Sequence, residues 1–181
     1  MIIGIAGMPS SGKDTVAEIF EKKGYKHISL SQVLRDMAKK QGIEPTTENL
    51  TEFGNSTRLK YGLGYLAKEA LKEARGDTVI TSIRQPGEVD VLRKRKDFYL
   101  IAIDATLENR WKRLSARRRL GDPATLDEMK SIEKRQSKAG GSKDMQNDVV
   151  MEMADYYIDN NGTKEQLKKQ VEETMEEIKN E

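Results

Sequence analysis

The sequence predicts a three-layer α/β fold, in which a five-stranded parallel sheet carries helices on both faces. Five short apolar segments alternate with helix-like segments along the 181 residues, which is the order of repeated βαβ units. A turn rich in glycine and serine joins the first of these strands to the first helix. The predicted strands are Ile2–Ala6, Lys26–Leu30, Thr78–Ile83, Tyr99–Asp104 and Tyr156–Asp159.

That first turn, GMPSSGKDT at residues 7–15, has the spacing of a P-loop. Small residues let successive backbone N–H groups converge on a phosphate, and the positive end of the next helix faces the same anion. A strand precedes the motif and an apolar helical pattern follows it, so a P-loop NTPase fold is favoured over a plain turn. The residues predicted to hold ATP are Gly7, Pro9, Ser10, Ser11, Gly12, Lys13, Asp14 and Thr15.

The P-loop departs from the usual pattern at Asp14. The pattern has Ser or Thr there, whose hydroxyl binds Mg²⁺, whereas in this chain the hydroxyl comes one residue later, at Thr15. A carboxylate is a stronger ligand for a hard cation, but it also brings negative charge close to the phosphates. We therefore expect the site to depend on a metal ion.

The composition is that of one soluble globular domain covering residues 1–181. Charged residues make up 34% and apolar residues 36%, and no apolar run approaches the length of a membrane span or forms a signal peptide. The chain has no cysteine, which excludes disulfides and thiolate chemistry and is compatible with a cytoplasmic location. A net charge of +2 argues against a nucleic-acid partner, and a homodimer stays open.

Capping signals predict where the helices begin. Ser31 is expected to cap a helix over 32–40, and Thr106 a helix over 107–119. Capping boxes are expected for Thr125 with Glu128 and for Thr163 with Gln166.

Two insertions interrupt the alternation. Residues 42–76 are expected to form two helices broken near Gly62, and glycines border residues 120–147, which predicts a hinged flap.

Arginines near the carboxyl ends of strands are candidates for holding a second phosphate. Phosphoryl transfer needs its phosphates aligned and their charge neutralised. Arg84 follows strand three, Arg35 lies in the helix after strand two, and Arg58 lies in the first insertion. Carboxyl ends of parallel strands form the ligand crevice, so Arg84 should share a rim with the P-loop. Taken singly, each arginine is more often a solvated surface charge or an ion-pair partner than a functional residue, and the neighbouring P-loop favours the functional role.

Five segments together resemble nucleoside monophosphate kinases. They are the P-loop, SQVLRD at 31–36, NLTEFGNSTRLKYG at 49–62, TSIRQPGEVDVLRK at 81–94 and IDNNGTKEQLKKQV at 158–171. The resemblance covers most of the chain and is to the adenylate-kinase-related branch, which includes deoxynucleoside monophosphate kinases and dephospho-CoA kinase-like proteins. It implies ATP and Mg²⁺ as cofactors, with Arg35, Arg58 and Arg84 gripping the phosphate of a nucleotide acceptor.

The same resemblance implies roles for the flap and the last strand. Arg117, Arg118 and Arg135 would close over the transferring phosphoryl group, together with Lys13 and Arg84. A solvated basic helix face is the alternative. Asn160, Asn161, Gly162 and Thr163 match a base-binding stretch, which a plain turn with a helix cap explains equally well.

A second departure lies at the end of strand three. Where the resembled family has the acidic residue of D-G-I-R, this chain has Thr81, followed by Ser82. We expect compensation, in which Asp14 supplies the charge and Thr81 or Ser82 supplies a hydroxyl beside Mg²⁺; drift with weakened metal binding is the alternative. His27, the one histidine, is expected at the sheet edge with no catalytic role.

The expected reaction is transfer of the γ-phosphoryl group of ATP to a nucleoside or deoxynucleoside monophosphate, giving the diphosphate and ADP. A phosphate acceptor is already anionic and needs no general base. One alternative is phosphorylation of a hydroxyl, as in dephospho-CoA kinase-like proteins, for which Asp36 or Asp14 would be the base. The other is a switch that binds ATP without being a kinase.

Overall fold

A computed structural model describes residues 1–117, 122–136 and 146–180. The expected five-stranded parallel sheet is confirmed, and its strand order is β2-β3-β1-β4-β5. Arg118, Gly121, Gly140 and Gly141, which bear on the expected flap, lie outside the described residues. The strands are β1 (Ile2–Ala6), β2 (Lys26–Ser29), β3 (Thr78–Thr81), β4 (Phe98–Asp104) and β5 (Tyr156–Asp159).

Helices lie between and after these strands. Among the described residues none is long and apolar enough to cross a membrane. They are α1 (Lys13–Lys22), α2 (Leu30–Lys40), α3 (Thr47–Tyr61), α4 (Tyr65–Glu73), α5 (Pro86–Leu92), α6 (Leu107–Arg117), α7 (Leu126–Gln136), α8 (Asn147–Glu152) and α9 (Lys164–Asn180).

The sheet is buried on both faces, which accounts for the nearly continuous apolar sequence of β1. Ile3 and Ile5 face a core made with α1 and α9, and Ile2 faces a core made with α2, α4 and α5. Because β1 is the middle strand, the P-loop that follows it emerges at the centre of the carboxyl edge. This is where open parallel sheets bind their ligands.

The start of α2 differs from the prediction. The helix begins at Leu30, with Ser29 at the N-cap position, so Ser31 lies in the first turn and is not the cap. The Ser31 hydroxyl instead lies 2.9 Å from Ser29 Oγ and accepts a hydrogen bond from Arg35 Nη1 at 3.2 Å. The Ser31 hydroxyl is therefore bound to neighbours within the same segment and does not cap the helix.

The other capping predictions hold in whole or in part. Thr163 and Gln166 form the reciprocal pair at the start of α9, and Thr106 Oγ1 accepts from the N–H of Asn109 at 3.4 Å. Thr125 accepts from the N–H of Glu128 at 3.1 Å. The Glu128 carboxylate accepts from the N–H of Ala124, one residue before the expected cap, so this box is incomplete.

The first insertion folds as the two expected helices, α3 and α4. Gly62 ends α3 with φ +94°, a conformation that residues with a Cβ seldom adopt. Tyr61 and Tyr65 stack across the break, with ring centroids 4.6 Å apart. The insertion packs beside α2, so it lies next to the carboxyl edge of the sheet.

Candidate active site

The P-loop has the backbone shape of an anion cradle. Gly7 and Gly12 have φ of +152° and +107°, and a Cβ at either position would collide with the Ile103 carbonyl oxygen or the Asn160 side chain. Ser10 adopts φ +62° without being a glycine. The hydroxyls of Ser10 and Ser11 are buried without hydrogen-bond partners among the described residues. Buried polar groups without partners fit a loop that binds a phosphate there.

Two side chains hold the P-loop from behind. Asn160, at the end of β5, donates from Nδ2 to the carbonyl oxygen of Ser11 at 2.7 Å. Arg113, in α6, donates to the carbonyl oxygens of Asn160 at 2.6 Å and Ser11 at 3.4 Å. Sequence reasoning missed this role, because both partners lie about a hundred residues or more beyond the loop, and no local signal marks them.

Lys13 lies in a strongly positive environment. Its Nζ donates to the carbonyl oxygen of Met8 at 2.7 Å. Burial and, after it, the positive charge of Arg84 lower the pKa of Lys13 to about 7, while Asp14 opposes the shift. Arg110 and Arg117 add smaller contributions in the same direction. A phosphate bound beside Nζ would stabilise the charged ammonium form of Lys13 and raise its pKa again.

A cavity of about 510 Å³ lies over the P-loop, between α1, α6 and α9. Phosphate-binding candidates and residues of the predicted base-binding stretch lie on the same walls, so one nucleotide could contact both. The lining residues are Ser10, Gly12, Lys13, Asp14, Thr15, Glu18, Arg113, Arg117, Asn160, Gly162, Lys164 and Leu167.

Two of the residues predicted to bind the base, Gly162 and Asn161, face different parts of the structure. Gly162 lines the cavity, and a Cβ there would collide with Gln166 at the start of α9. The Asn161 side chain accepts from the N–H of Thr106 at 2.8 Å and from Asn109 Nδ2 at 2.9 Å. Asn161 therefore ties the β5 turn to the start of α6, while Gly162 faces the cavity.

Ion pairs connect α6 to the segment that contains α7. Arg110 forms a buried pair with Glu133 and donates from Nε to the carbonyl oxygen of Ala105 at 2.9 Å. Arg117, at the cavity wall, makes a two-pronged pair with Asp122 at 3.0 and 2.9 Å. To bind a phosphoryl group as predicted, Arg117 must break its ion pair with Asp122 or contact both anions at once. The side chain of Arg135, also predicted for this role, lies outside the described residues.

The three arginines predicted for the acceptor lie close enough to influence one another. Burial lowers the pKa of Arg84, Glu88 opposes this, and the charges of Arg58 and Arg35 lower it further. Arg58 is only 6% exposed, although it lies in the inserted α3. Its Nη1 donates to Asn55 Oδ1 at 3.1 Å, and its Nε has no partner among the described residues.

Glu88 fixes the turn that carries Arg84. Its Oε2 accepts from the N–H groups of Arg84 at 2.8 Å and Gln85 at 3.1 Å, and burial raises its pKa while these bonds and Arg58 oppose the rise. Gln85 and Glu88 form a capping box with Pro86 at the first position of α5. Sequence reasoning missed this acid, although the spacing QPGE was a readable signal.

The turn after β3 has a left-handed residue at the position where the D-G-I-R pattern has glycine. Ser82, at the glycine position, has φ +62°, the left-handed conformation in which glycine is favoured. Its hydroxyl lies 3.2 Å from Ser29 Oγ and 3.3 Å from Ser31 Oγ. The preceding residue, Thr81, is buried, and its hydroxyl lies 2.8 Å from His27 Nε2.

The donors at the phosphate cavity suit a hard cation. Asp14 is exposed there and Thr15 lies beside it, so a carboxylate and a hydroxyl oxygen are available to Mg²⁺, which keeps several waters and takes phosphate oxygens as further ligands. The described residues contain no cluster of three acidic or histidine side chains that would hold a metal without the nucleotide. The roles of Asp14 and Thr81 toward a metal stay predictions.

Comparison with known proteins assigns the chain to a family. A protein of Archaeoglobus fulgidus described as UPF0200/UPF0201 is 32% identical over 96% of this chain, which spans 54% of that protein's length. A UPF0200 protein of Thermococcus kodakarensis is 30% identical, with 98% of both chains covered. This chain belongs to the UPF0200 family. A family model described as an AAA domain also matches residues 3–138.

Solved structures similar to this UPF0200 chain share its fold. A protein of Thermus thermophilus has a TM-score of 0.61 with 20% identity, covering 98% of this chain and 97% of its own. The shikimate kinase of Aquifex aeolicus gives 0.58 with 16% identity, covering 97% and 96%. An APS kinase of Mycobacterium tuberculosis gives 0.55 with 16% identity, covering 97% and 95%. The fold is therefore that of P-loop kinases, and the narrower resemblance to nucleoside monophosphate kinases stays a prediction.

Proposed function

We propose that this protein transfers the γ-phosphoryl group of ATP to the phosphate of a nucleoside or deoxynucleoside monophosphate, with Mg²⁺. The P-loop would hold the phosphates of ATP, with Lys13 reaching toward the transferring group. Arg35, Arg58 and Arg84 would hold the phosphate of the acceptor. Arg117 would neutralise charge that develops between the two.

The observation that carries this proposal is the accumulation of positive charge on both sides of one cleft, where Lys13 and Arg84 are half-buried and Arg58 is buried. Arg84 lowers the pKa of Lys13 on the donor side, and Arg58 and Arg35 lower the pKa of Arg84 on the acceptor side. Buried cations are costly unless an anion neutralises them. Glu88 is close to these arginines, but its carboxylate oxygen is bound to backbone N–H groups. Two phosphate-bearing ligands would add negative charge beside these cations.

A phosphate acceptor fits the acceptor side better than a hydroxyl. A hydroxyl needs a general base within hydrogen-bond reach. Asp36 is exposed and accepts from Gln32 Nε2 at 2.9 Å, and Glu88 Oε2 accepts from two backbone N–H groups, so each carboxylate already has a donor that a general base would give up or share. Asp14, the other candidate base for phosphorylation of a hydroxyl as in dephospho-CoA kinase-like proteins, is exposed and lies on the donor side.

The proposal is tested by measuring ADP release and identifying the product. The acceptors are the common ribo- and deoxyribonucleoside monophosphates, dephospho-CoA, shikimate and APS, each with and without Mg²⁺. We expect at least one monophosphate to give ADP and its diphosphate only when Mg²⁺ is present. A phosphorylated hydroxyl would replace this proposal by the second candidate, and ATP binding with no acceptor-dependent ADP release would replace it by a switch.

A separate pair of variants tests whether Asp14 compensates for the absence of an acid at Thr81. Asp14→Ser should lower the rate sharply at limiting Mg²⁺, and adding Thr81→Asp should restore most of it, because the double variant returns a carboxylate to the site. A double variant no faster than Asp14→Ser would show that the two positions do not compensate.

A further inference from the structure

Two ion pairs tie α6 to the segment that follows it, and they differ in burial. The side chains of Arg110 and Glu133 are 9% and 12% exposed, and Arg110 Nε also donates to the carbonyl oxygen of Ala105. The side chains of Arg117 and Asp122 are 34% and 15% exposed. Breaking a buried pair leaves a charge without a partner away from water, whereas a more exposed pair is given up at little cost. The pair of Arg117 is therefore the one that a ligand can exchange.

Arg117 lies between two cavities. It lines the cavity over the P-loop together with Lys13, whereas its partner Asp122 lines a separate surface cavity at the start of α7. Burial is the main cause that lowers the pKa of Lys13, and the charge of Arg117 acts in the same direction, so the two cations lie near each other. The lysine of a P-loop reaches the β- and γ-phosphates of the nucleotide. From beside Lys13, the phosphate that Arg117 can contact is therefore the terminal one of a triphosphate.

A carboxylate and a phosphate compete for the same donors of this arginine. Arg117 donates from Nε and Nη2 to the two carboxylate oxygens of Asp122, at 3.0 and 2.9 Å. The planar guanidinium group binds a phosphate with the same two-pronged geometry. A ligand that takes these donors must give back the free energy of the ion pair. A ligand that is too short to reach Arg117 leaves the ion pair intact.

We propose that Asp122 is a specificity-determining residue, which competes with the third phosphate of ATP for Arg117 and so lowers the affinity of the cavity for ATP relative to ADP. The proposal rests on the proposed function in taking ATP as the donor. The exchange makes Arg117 available to the charge of the transferring group, and Asp122 takes the guanidinium group back once that group has left. The carboxylate thereby keeps the affinities for substrate nucleotide and product nucleotide close to each other.

Nucleotide titrations without any acceptor test the competition. Calorimetry with Mg²⁺ measures the Kd of ADP and of a nonhydrolysable ATP analogue. Asp122→Asn keeps the size of the side chain and removes its charge, so the ATP analogue should bind about five- to tenfold more tightly and ADP should change less than about twofold. Asp127→Asn is the matched control, because Asp127 lines the same surface cavity as Asp122 and is 94% exposed. It should change neither Kd.

A double-mutant cycle shows whether the effect passes through Arg117. In an Arg117→Gln background, Asp122→Asn should change the Kd of the ATP analogue less than about twofold, because no guanidinium group is left to compete for. Thermal unfolding of each variant checks that it is folded. With all variants folded, an Asp122→Asn protein that binds the analogue no more tightly than wild type would overturn the inference. Equal tightening of ADP and the analogue, or tightening that persists without Arg117, would overturn it too.

The outcome is separable from that of the proposed function. If no acceptor supports ADP release, the proposed transfer fails, and the titrations still decide the role of Asp122. If a monophosphate acceptor is phosphorylated and the titrations show no competition, only this inference fails. A protein that does not bind the ATP analogue would overturn both.

Discussion

The proposed donor side of the cleft is formed by backbone, and the proposed acceptor side is formed by side chains. The donor side is a backbone loop of nine consecutive residues, in which glycine conformations and N–H groups make the cradle. The acceptor side consists of side chains from separate parts of the chain: Arg35 in α2, Arg58 in α3 and Arg84 after β3. A backbone cradle serves any polyphosphate, whereas the spacing of three arginines can fit one acceptor. We therefore expect changes on the donor side to affect ATP and changes on the acceptor side to affect selectivity.

The largest effect should come from removing the one positively charged side chain of the cradle. Lys13→Ala should lower kcat about 10³-fold or more, because the lysine contacts the transferring phosphoryl group only if the loop binds ATP as proposed. ADP release under saturating acceptor measures it. Lys22→Ala, in the last turn of the same helix, is the control. A Lys13→Ala enzyme within about threefold of wild type would contradict the donor assignment.

On the acceptor side, Arg84→Ala should raise the KM for the acceptor about 10²-fold and leave ATP affinity within about twofold. The reason is that Arg84 faces the other arginines while the cradle itself is backbone. Titration of each substrate separately measures the two constants. Arg75→Ala, an exposed arginine before β3, should change neither. Equal weakening of ATP and acceptor would show that the two sides are one site.

The pH dependence of ATP binding should sharpen the contrast further. Folding lowers the pKa of Lys13 from 10.5 to about 7, so charging Lys13 in the fold costs stability below pH 7, and that cost disappears as the pH rises from 7 toward 10.5. Bound phosphates restore the proton, so binding takes up a proton in this window. ATP affinity should fall by up to about tenfold per pH unit above pH 7.

Calorimetry in buffers of different ionisation enthalpy measures this proton uptake directly. Lys13→Arg should remove the uptake, because a guanidinium group stays charged throughout the window. Lys22→Ala should keep it. A pH-independent ATP affinity in the wild-type protein would show that Lys13 stays charged in the free cradle.

The smallest effect should come from removing the Asn160 side chain, which holds the P-loop through the carbonyl oxygen of Ser11. Asn160→Ala leaves the carbonyl oxygen of Ser11 short of its best donor, a loss of about 1–3 kcal/mol for a buried acceptor, which should weaken ATP binding by about tenfold. Gln170→Ala is the matched control, since it removes a side-chain amide that donates to the carbonyl oxygen of Asp159 instead. ATP titration of both variants separates them. Equal effects would mean that Asn160 acts only through the general stability of the protein.

Local patterns were enough to predict the sheet, the two inserted helices and the cradle. Each depends on residues close together in sequence: an apolar run for β1, glycines for the turns and a lysine at the start of α1. The start of α2 was mispredicted because the Ser31 hydroxyl lies near Ser29 and Ser82 instead of capping the helix.

The supporting contacts of the site could not be predicted in the same way. Asn160 and Arg113 reach the P-loop only because β5 and α6 pack beside it, and Glu88 lies within the influence of the charge of Arg58 from α3. The contact of His27 with Thr81 likewise follows from the register of β2 against β3. Such contacts are decided by the topology of the sheet, and no spacing along the chain encodes them.

The central place of β1 has a consequence for the order of assembly in the cell. Ile2 is hydrogen-bonded through its strand to segments that begin at Thr78 and Phe98, and the loop after β1 is completed by Asn160. During synthesis, β1 therefore emerges well before β3, β4 and Asn160 and must wait for them. Contacts so distant in sequence form late and slowly. ATP can then stabilise the fold only after Asn160 has been made, and until then β1 is an apolar segment without its neighbouring strands.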